Sequence, residues 1–149
     1  GMEHFVVTSA KCAGMLSAIG ILVMLDAKGM EYRQVIDHVG PNESLFKSED
    51  ESFGVNHHLI GAYLLSLWGF NDMIVEAVAL APDPGLASGL ENQALTAVHA
   101  ALALGPRFPA LPPEVVAPDI LDMDYLSSVK REGRVDVWRE FAIPPAQKV

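Results

Sequence analysis

The stretch Phe53-Gly54-Val55-Asn56-His57-His58-Leu59-Ile60-Gly61-Ala62-Tyr63-Leu64-Leu65-Ser66-Leu67-Trp68-Gly69-Phe70 decides the fold. Asn56 stands where a side-chain oxygen can cap a helix, so the pattern predicts a helix from His57 to Trp68. Leu59, Ile60, Tyr63, Leu64, Leu67 and Trp68 recur at the i, i+4, i+8 spacing of one buried stripe. Gly69 ends the helix.

The same period runs outward in both directions, and the β signal is weak. Upstream, Thr8 to Asp26 reads as one apolar helix. Gly14 and Gly20 fall inside it, each costing about 1 kcal/mol relative to Ala unless close packing needs them. Met30 to Val39 reads as a short amphipathic helix stopped by Gly40-Pro41. Asn42 can cap a helix through Lys47 to about Ser52, where Glu43, Glu49, Asp50 and Glu51 predict a wet face. Downstream, Asn71 opens a helix through Ile74, Val75 and Val78, and Asp83-Pro84-Gly85 breaks the chain. Glu91 to Leu104 is helical again, with Leu95, Val98 and Leu102 on one face. A Pro-rich connector carries Pro109, Pro112, Pro113 and Pro118. Asp122 can cap a last pair of short helices anchored by Tyr125, Leu126, Val137, Trp138 and Phe141. The expectation is an all-α domain of about six to eight short helices over residues 8–142, with a loose tail at 143–149.

Composition narrows the function classes. The 149 residues suit one domain. Half are hydrophobic, which argues against disorder. Lys and Arg number 10 against 19 Asp and Glu, a formal charge of -9 that disfavours nucleic-acid binding. The single cysteine, Cys12, excludes a disulfide framework and a Cys-rich zinc module, and fits a reducing cytoplasm. Cys12 to Leu25 is uncharged but short of the roughly 20 residues of a membrane span, and Ser52 to Asn71 carries Asn56, His57 and His58. No membrane role is expected. No basic region precedes an apolar stretch, so no secretory signal is read. Gly1 ahead of Met2 reads as an added residue.

Candidate chemistry is sparse. His57 and His58 are neighbours and project about 100° apart on a helix, so they do not easily share one ion. The sequence contains no H-x-x-x-H, H-E-x-x-H or C-x-x-C. His57 reads as a partly buried histidine near a helix start, and His99 as a satisfied core histidine beside Leu95 and Leu102. Cys12 reads as a small hydrophobe. Glu49-Asp50-Glu51 lacks the ligand alternation and loop glycine of a calcium site and reads as a solvated face.

The central stretch resembles the HDOD family, the HD-related output domains of bacterial signalling and relatives of the HD phosphohydrolases. The family pattern, roughly F-G-x-x-H-x-x-x-G-x-x-L-L-x-x-W-x-L, is matched by Gly54, His57, Gly61, Leu64, Leu65 and Trp68, with Glu49 or Glu51 fitting just upstream. Ile74-Val75-Glu76-Ala77-Val78, Ala97-Val98-His99 and the segment from Asp124-Tyr125-Leu126 to Trp138 extend the likeness over Ala10 to Phe141. Active HD enzymes hold their metals with an upstream His, a His-Asp pair and a later Asp. The resemblance puts the His-Asp pair on Ser17 and Ala18. It puts a His-His pair common in the superfamily on Ala81 and Pro82, and the late Asp on Leu102. Only His57 survives, so the resemblance implies an HD-like helical bundle with its metal site erased and no cofactor, His57 and His99 lining any residual pocket. The family's domains run to about 200 residues with a helical N-terminal subdomain ahead of the equivalent of Thr8, which this chain is expected to lack.

The resemblance implies a non-catalytic cytoplasmic regulatory domain, in two-component signalling or similar, that contacts other signalling proteins. The alternatives are a metal-dependent phosphohydrolase acting on a nucleotide or cyclic dinucleotide, and a small-molecule sensor reusing the vacated pocket. The apolar first helix, with Met15, Leu16, Ile19, Ile21, Leu22, Val23, Met24 and Leu25, predicts an exposed patch and a homodimer.

Overall fold

A computed structural model describes residues 1–40, 43–89, 92–105 and 121–142. Among them the regular structure is entirely helical: α1 Met2–Leu16, α2 Ile19–Lys28, α3 Met30–His38, α4 Leu45–Phe53, α5 His57–Leu67, α6 Asp72–Leu80, α7 Gln93–Leu104, α8 Met123–Ser128 and α9 Val135–Ala142. Two 3-10 turns, Pro84–Leu86 and Glu132–Arg134, complete the order. The expected all-α bundle is what the chain forms. The nine helices among the described residues count as eight if α1 and α2 are taken as one broken run.

Local chemistry sets the helix starts. The side chains of Asn56, Asn71, Asn92 and Asp122 each accept a hydrogen bond from the backbone N–H three residues on, at 3.1, 3.1, 3.1 and 2.8 Å. Each satisfies one of the donors that a helix start leaves open. Three of these caps were expected; Asn92 replaces a start at Glu91. Asn42 lies outside the described residues, and Ser44 holds the N-cap position of α4 instead. At the other end of α4, Gly54 at φ 71° turns the chain into α5, a left-handed conformation that favours glycine.

The expected single helix from Thr8 to Asp26 is two helices. It starts earlier, at Met2, breaks at Ser17–Ala18 and runs on to Lys28. The Ser17 hydroxyl donates to the Gly14 carbonyl at 2.8 Å, and Ala18 sits at φ -95°, ψ 4°. Serine back-bonding of this kind competes with the helix ladder and bends helices. The run Met2–Lys28, which contains an 18-residue window of mean hydropathy 1.8, is by length and composition long and apolar enough to cross a membrane. That is longer than the uncharged segment read from sequence.

The break lets α2 lie directly on α5. A Cβ at Gly20 would stand 1.8 Å from the His57 carbonyl oxygen, and one at Gly61 would stand 3.1 Å from Ile19 Cγ2. Gly20 is therefore required by close backbone approach and Gly61 is tightly packed against it, whereas a Cβ at Gly14 meets nothing within 4 Å. Two apolar clusters flank this crossing. The larger joins α1, α5, α6, α7 and α8 through Ala13, Leu65, Val78, Leu95, Val98 and Leu126. The smaller joins α2, α3 and α4 through Ile21, Met24, Tyr32, Ile36 and Leu45.

The stripe expected to bury α5 faces outward. Leu59, Tyr63, Leu67 and Trp68 are exposed, Tyr63 at 69%. The buried face is His57, His58, Gly61, Ala62 and Leu65. Helix α5 is apolar on two sides, and the close α2 crossing selects the side with small residues. Val137 and Phe141, read as anchors, are likewise exposed; Tyr125 and Leu126 are buried and Trp138 half-buried. The patch expected on the first helix is partly present: Met15 and Leu22 are exposed, while Ile21 and Met24 are buried.

The two glycines of the first run should therefore respond oppositely to alanine. Gly20→Ala is expected to cost about 3 kcal/mol, because overpacking against backbone cannot relax as a side chain does. Gly14→Ala should raise stability by up to about 1 kcal/mol through helix propensity. Urea denaturation of the two variants beside the parent measures both.

Candidate functional site

The one fully buried carboxylate among the described residues is Glu49, at 0% exposure, and three donors converge on it. The Tyr32 hydroxyl donates to Oε1 at 2.5 Å. The backbone N–H of His57 donates to Oε2 at 2.9 Å, and His57 Nδ1 lies 2.6 Å from the same oxygen. A carboxylate is an acceptor, so the proton of that contact sits on His57 Nδ1. These bonds join α3, α4 and α5. One residue on, Asp50 accepts from the Asn56 amide at 3.0 and 3.1 Å, which holds the capping residue itself.

The acidic run is thus not uniformly wet, contrary to expectation: Glu49 is buried, while Asp50 and Glu51 are exposed. The signal was present in the spacing Leu45, Glu49, Phe53, which is i, i+4, i+8 and places Glu49 on the inner face of α4. Tyr32 was missed as well. Burial pushes its phenol far above the usual value, and the hydrogen bond to Glu49 and that residue's charge add to the shift, so Tyr32 serves as a neutral donor.

His58 stacks beside His57, with ring centroids 4.1 Å apart, and meets Phe46 edge-on. Its Nδ1 is buried without a partner. Burial holds its pKa well below the usual 6.5 and the neighbouring His57 lowers it further, against a hydrogen bond to the Val78 backbone that raises it. His58 is therefore a neutral ring in the fold.

His99 belongs to a separate cluster. It is fully buried, with Nδ1 2.7 Å from the Ala81 carbonyl and Nε2 accepting from the Asp122 backbone N–H at 2.9 Å. That pair of contacts sets the neutral Nδ1–H tautomer. Beside it, Tyr125 and Thr96 share a hydrogen bond of 2.8 Å. No contact joins this cluster to Glu49 and His57.

The positions on which the resemblance puts the ligands of HD enzymes hold neutral residues. Ser17 is buried and bonded to backbone, Ala18 lies at the helix break, and Ala81 is fully buried with its carbonyl held by His99. Pro82 and Leu102 are half-buried, Leu102 against the larger cluster. No group of three or more His, Cys, Asp or Glu side chains among the described residues could hold a metal ion. A groove of about 1420 Å³ lies along α1, α7 and α9 and reaches Leu102, but not Ser17, Ala18, Ala81 or Pro82. Of the residues that match the family pattern, Gly61 permits the helix crossing, Gly54 turns the chain, Leu65 is buried, Leu64 is half-buried, and Trp68 is exposed.

The fold and the site are thus a helical bundle in which α2 and α5 cross at Gly20 and Gly61, with a buried carboxylate bonded to His57. The HDOD domain family model matches residues 2–84, more than half of the chain, and the chain belongs to that family of HD-related signalling domains. The match covers α1 to α6 and stops at the 3-10 turn, short of the Phe141 to which the resemblance was extended. No curated protein and no solved structure matches.

Removing the Glu49 carboxylate leaves the His57 N–H groups and the Tyr32 hydroxyl without an acceptor. Glu49→Ala is expected to destabilise by about 3–5 kcal/mol, while exposed Glu51→Ala changes stability by less than about 0.5 kcal/mol. Chemical denaturation at pH 7 reads the difference.

The depressed His58 pKa sets a pH dependence. Below pH 6.5 the unfolded chain gains a proton at this residue that the folded chain does not hold. Stability from this residue is therefore present above pH 6.5 and falls as the pH drops, by up to about 1.4 kcal/mol per unit. His58→Phe, which fills the slot without a titrating group, should lose that slope in denaturation curves between about pH 5.5 and 6.5.

Proposed function

We propose that this chain is a non-catalytic regulatory domain of bacterial cytoplasmic signalling, in two-component pathways or similar, that acts through contacts with other signalling proteins. The observation that carries this reading is the commitment of His57 and His99. The Nδ1 of His57 is bonded to Glu49, and both ring nitrogens of His99 are bonded to backbone. A metal hydrolase needs several nitrogen and oxygen ligands converging on an ion to hold it and to acidify its water. Here the corresponding positions are Ser17, Ala18, Ala81, Pro82 and Leu102, which offer one hydroxyl already engaged with backbone. A ligand sensor built on the vacated position would need a cavity there, and the groove along α1, α7 and α9 runs elsewhere. The exposed apolar side chains Met15, Leu22, Tyr63, Leu67 and Trp68 support a surface that other proteins contact.

Purified protein incubated with Mn²⁺, Fe²⁺ or Zn²⁺ and desalted should retain no stoichiometric metal by elemental analysis. It should also leave bis-p-nitrophenyl phosphate and cyclic dinucleotides intact. Stoichiometric retention that is lost in His57→Ala or His99→Ala, with hydrolysis to match, would overturn the non-catalytic reading.

A further inference from the structure

We infer that the groove bounded by α1 and α9 and floored by α7 is the docking site for an acidic amphipathic helix of a partner protein. This deepens the reading of the chain as a domain that works by protein contact, and rests on it. The argument begins with size and shape. At about 1420 Å³ the groove exceeds the roughly 300–1,000 Å³ of small-ligand pockets. A helix about 10 Å across and three turns long fills a comparable space. The floor is made of small residues, with Ala97 and Ala101 of α7 exposed there and Ala10 and Gly14 of α1 at its edge. Trp138 and Phe141 of α9 supply large apolar surface, Phe141 being 83% exposed. A small floor between larger walls lets a helix settle its apolar stripe close to α7.

Charge then selects the partner. The chain carries -9 overall, yet among the described residues lining this groove there are two arginines, Arg131 and Arg134, and no acidic residue. Neither arginine forms an ion pair with a described carboxylate. Their placement is set by backbone geometry. Lys130 is held at φ 57°, a conformation that L residues rarely adopt, and the Arg131 N–H closes back on the Leu126 carbonyl at 2.8 Å. The 3-10 turn Glu132–Arg134 then carries Arg134 to the same groove. An apolar trough with fixed cations and no acidic lining suits a helix that flanks its hydrophobic stripe with Glu or Asp.

The chain has two tryptophans, Trp68 and Trp138, so Trp68→Phe leaves Trp138 as a reporter inside the groove. The probe is a synthetic peptide of about five helical turns with leucines at i, i+3, i+4 and i+7 and glutamates flanking them; its control carries lysines instead. The glutamate peptide should shift Trp138 emission saturably, about tenfold more tightly than the lysine peptide. Arg131→Glu with Arg134→Glu should weaken it by at least that factor, and Ala101→Arg should abolish it. Circular dichroism and melting check that the variants fold, and the surface arginine pair tests the proposal alone if Ala101→Arg does not. Equal binding of the two peptides, or no saturable shift with either, overturns the inference. So does Trp138 being no more accessible to acrylamide than a fully buried indole in the free protein, which would mean that the groove is already covered. A shift with phosphatidylglycerol vesicles and not with peptide would assign the groove to a membrane. A concentration-dependent shift tracking dimer mass in light scattering would assign it to a second copy. The metal-retention and hydrolysis assays are independent of all these outcomes, so failure of the groove and failure of the non-catalytic reading are told apart.

Discussion

The carboxylate of Glu49 is the constraint on which the α2–α5 half of the molecule depends. Burying such a group is costly unless its acceptor sites are used, and here they are used by three donors from two other helices. The consequence is geometric as well as energetic. Helix α5 cannot rotate about its axis without withdrawing both His57 donors from Glu49. With that rotation set, Gly61 faces α2, and the crossing at Gly20 can close to backbone contact. The rotation also settles which side of an ambiguous helix goes inside. Leu59, Tyr63 and Leu67 would bury more apolar area than Gly61 and Ala62, yet they face solvent. Hydrophobic area alone favours the opposite rotation; the hydrogen bonds and the glycine contact outweigh it.

That competition explains what was legible in the sequence and what was not. Helical periodicity and capping residues are local signals, and Asn56, Asn71 and Asp122 all cap the helices they were expected to cap. Family membership was legible because the motif around His57 is dense. The facing of α5 was not, because both of its sides are apolar and the choice is made by α2, distant in sequence. The burial of Glu49 was half-legible: it shares a face with Leu45 and Phe53, but it stands in a run with Asp50 and Glu51 that reads as solvated. The break at Ser17 was hidden for a different reason. A serine inside a long apolar run carries little signal, and its hydroxyl bends the helix only by bonding Gly14.

The two halves of the molecule treat polar groups differently. Around α2, α3 and α4 the buried polar cluster is anchored by a side-chain carboxylate. Around α7 and α8 it is anchored by backbone: His99 bridges the Ala81 carbonyl and the Asp122 N–H, tying the end of α6 to the start of α8. Asn92 adds a second tie, from its amide to the Met73 carbonyl at 3.1 Å and to Glu76 at 2.7 Å, while its oxygen caps α7. His99 thereby joins elements far apart in the chain, as Glu49 does by holding both Tyr32 of α3 and His57 of α5. Such bonds specify which element packs where, a task that the small and nearly interchangeable residues Ala13, Ala77, Ala81 and Ala94 in the core cannot perform alone.

The same accounting applies to the positions on which the resemblance puts the metal ligands of HD enzymes. A His-Asp pair and further carboxylates buried without an ion would stand as polar and charged groups lacking partners, at a cost of several kcal/mol for each unpaired charge. Neutral residues at Ser17, Ala18, Ala81, Pro82 and Leu102 carry no such cost. His57 is the exception that a donor–acceptor account explains. Its Nδ1–H meets an internal carboxylate, so it retains a partner without any ion. A histidine in that role is positioned by packing and by its hydrogen bonds to Glu49.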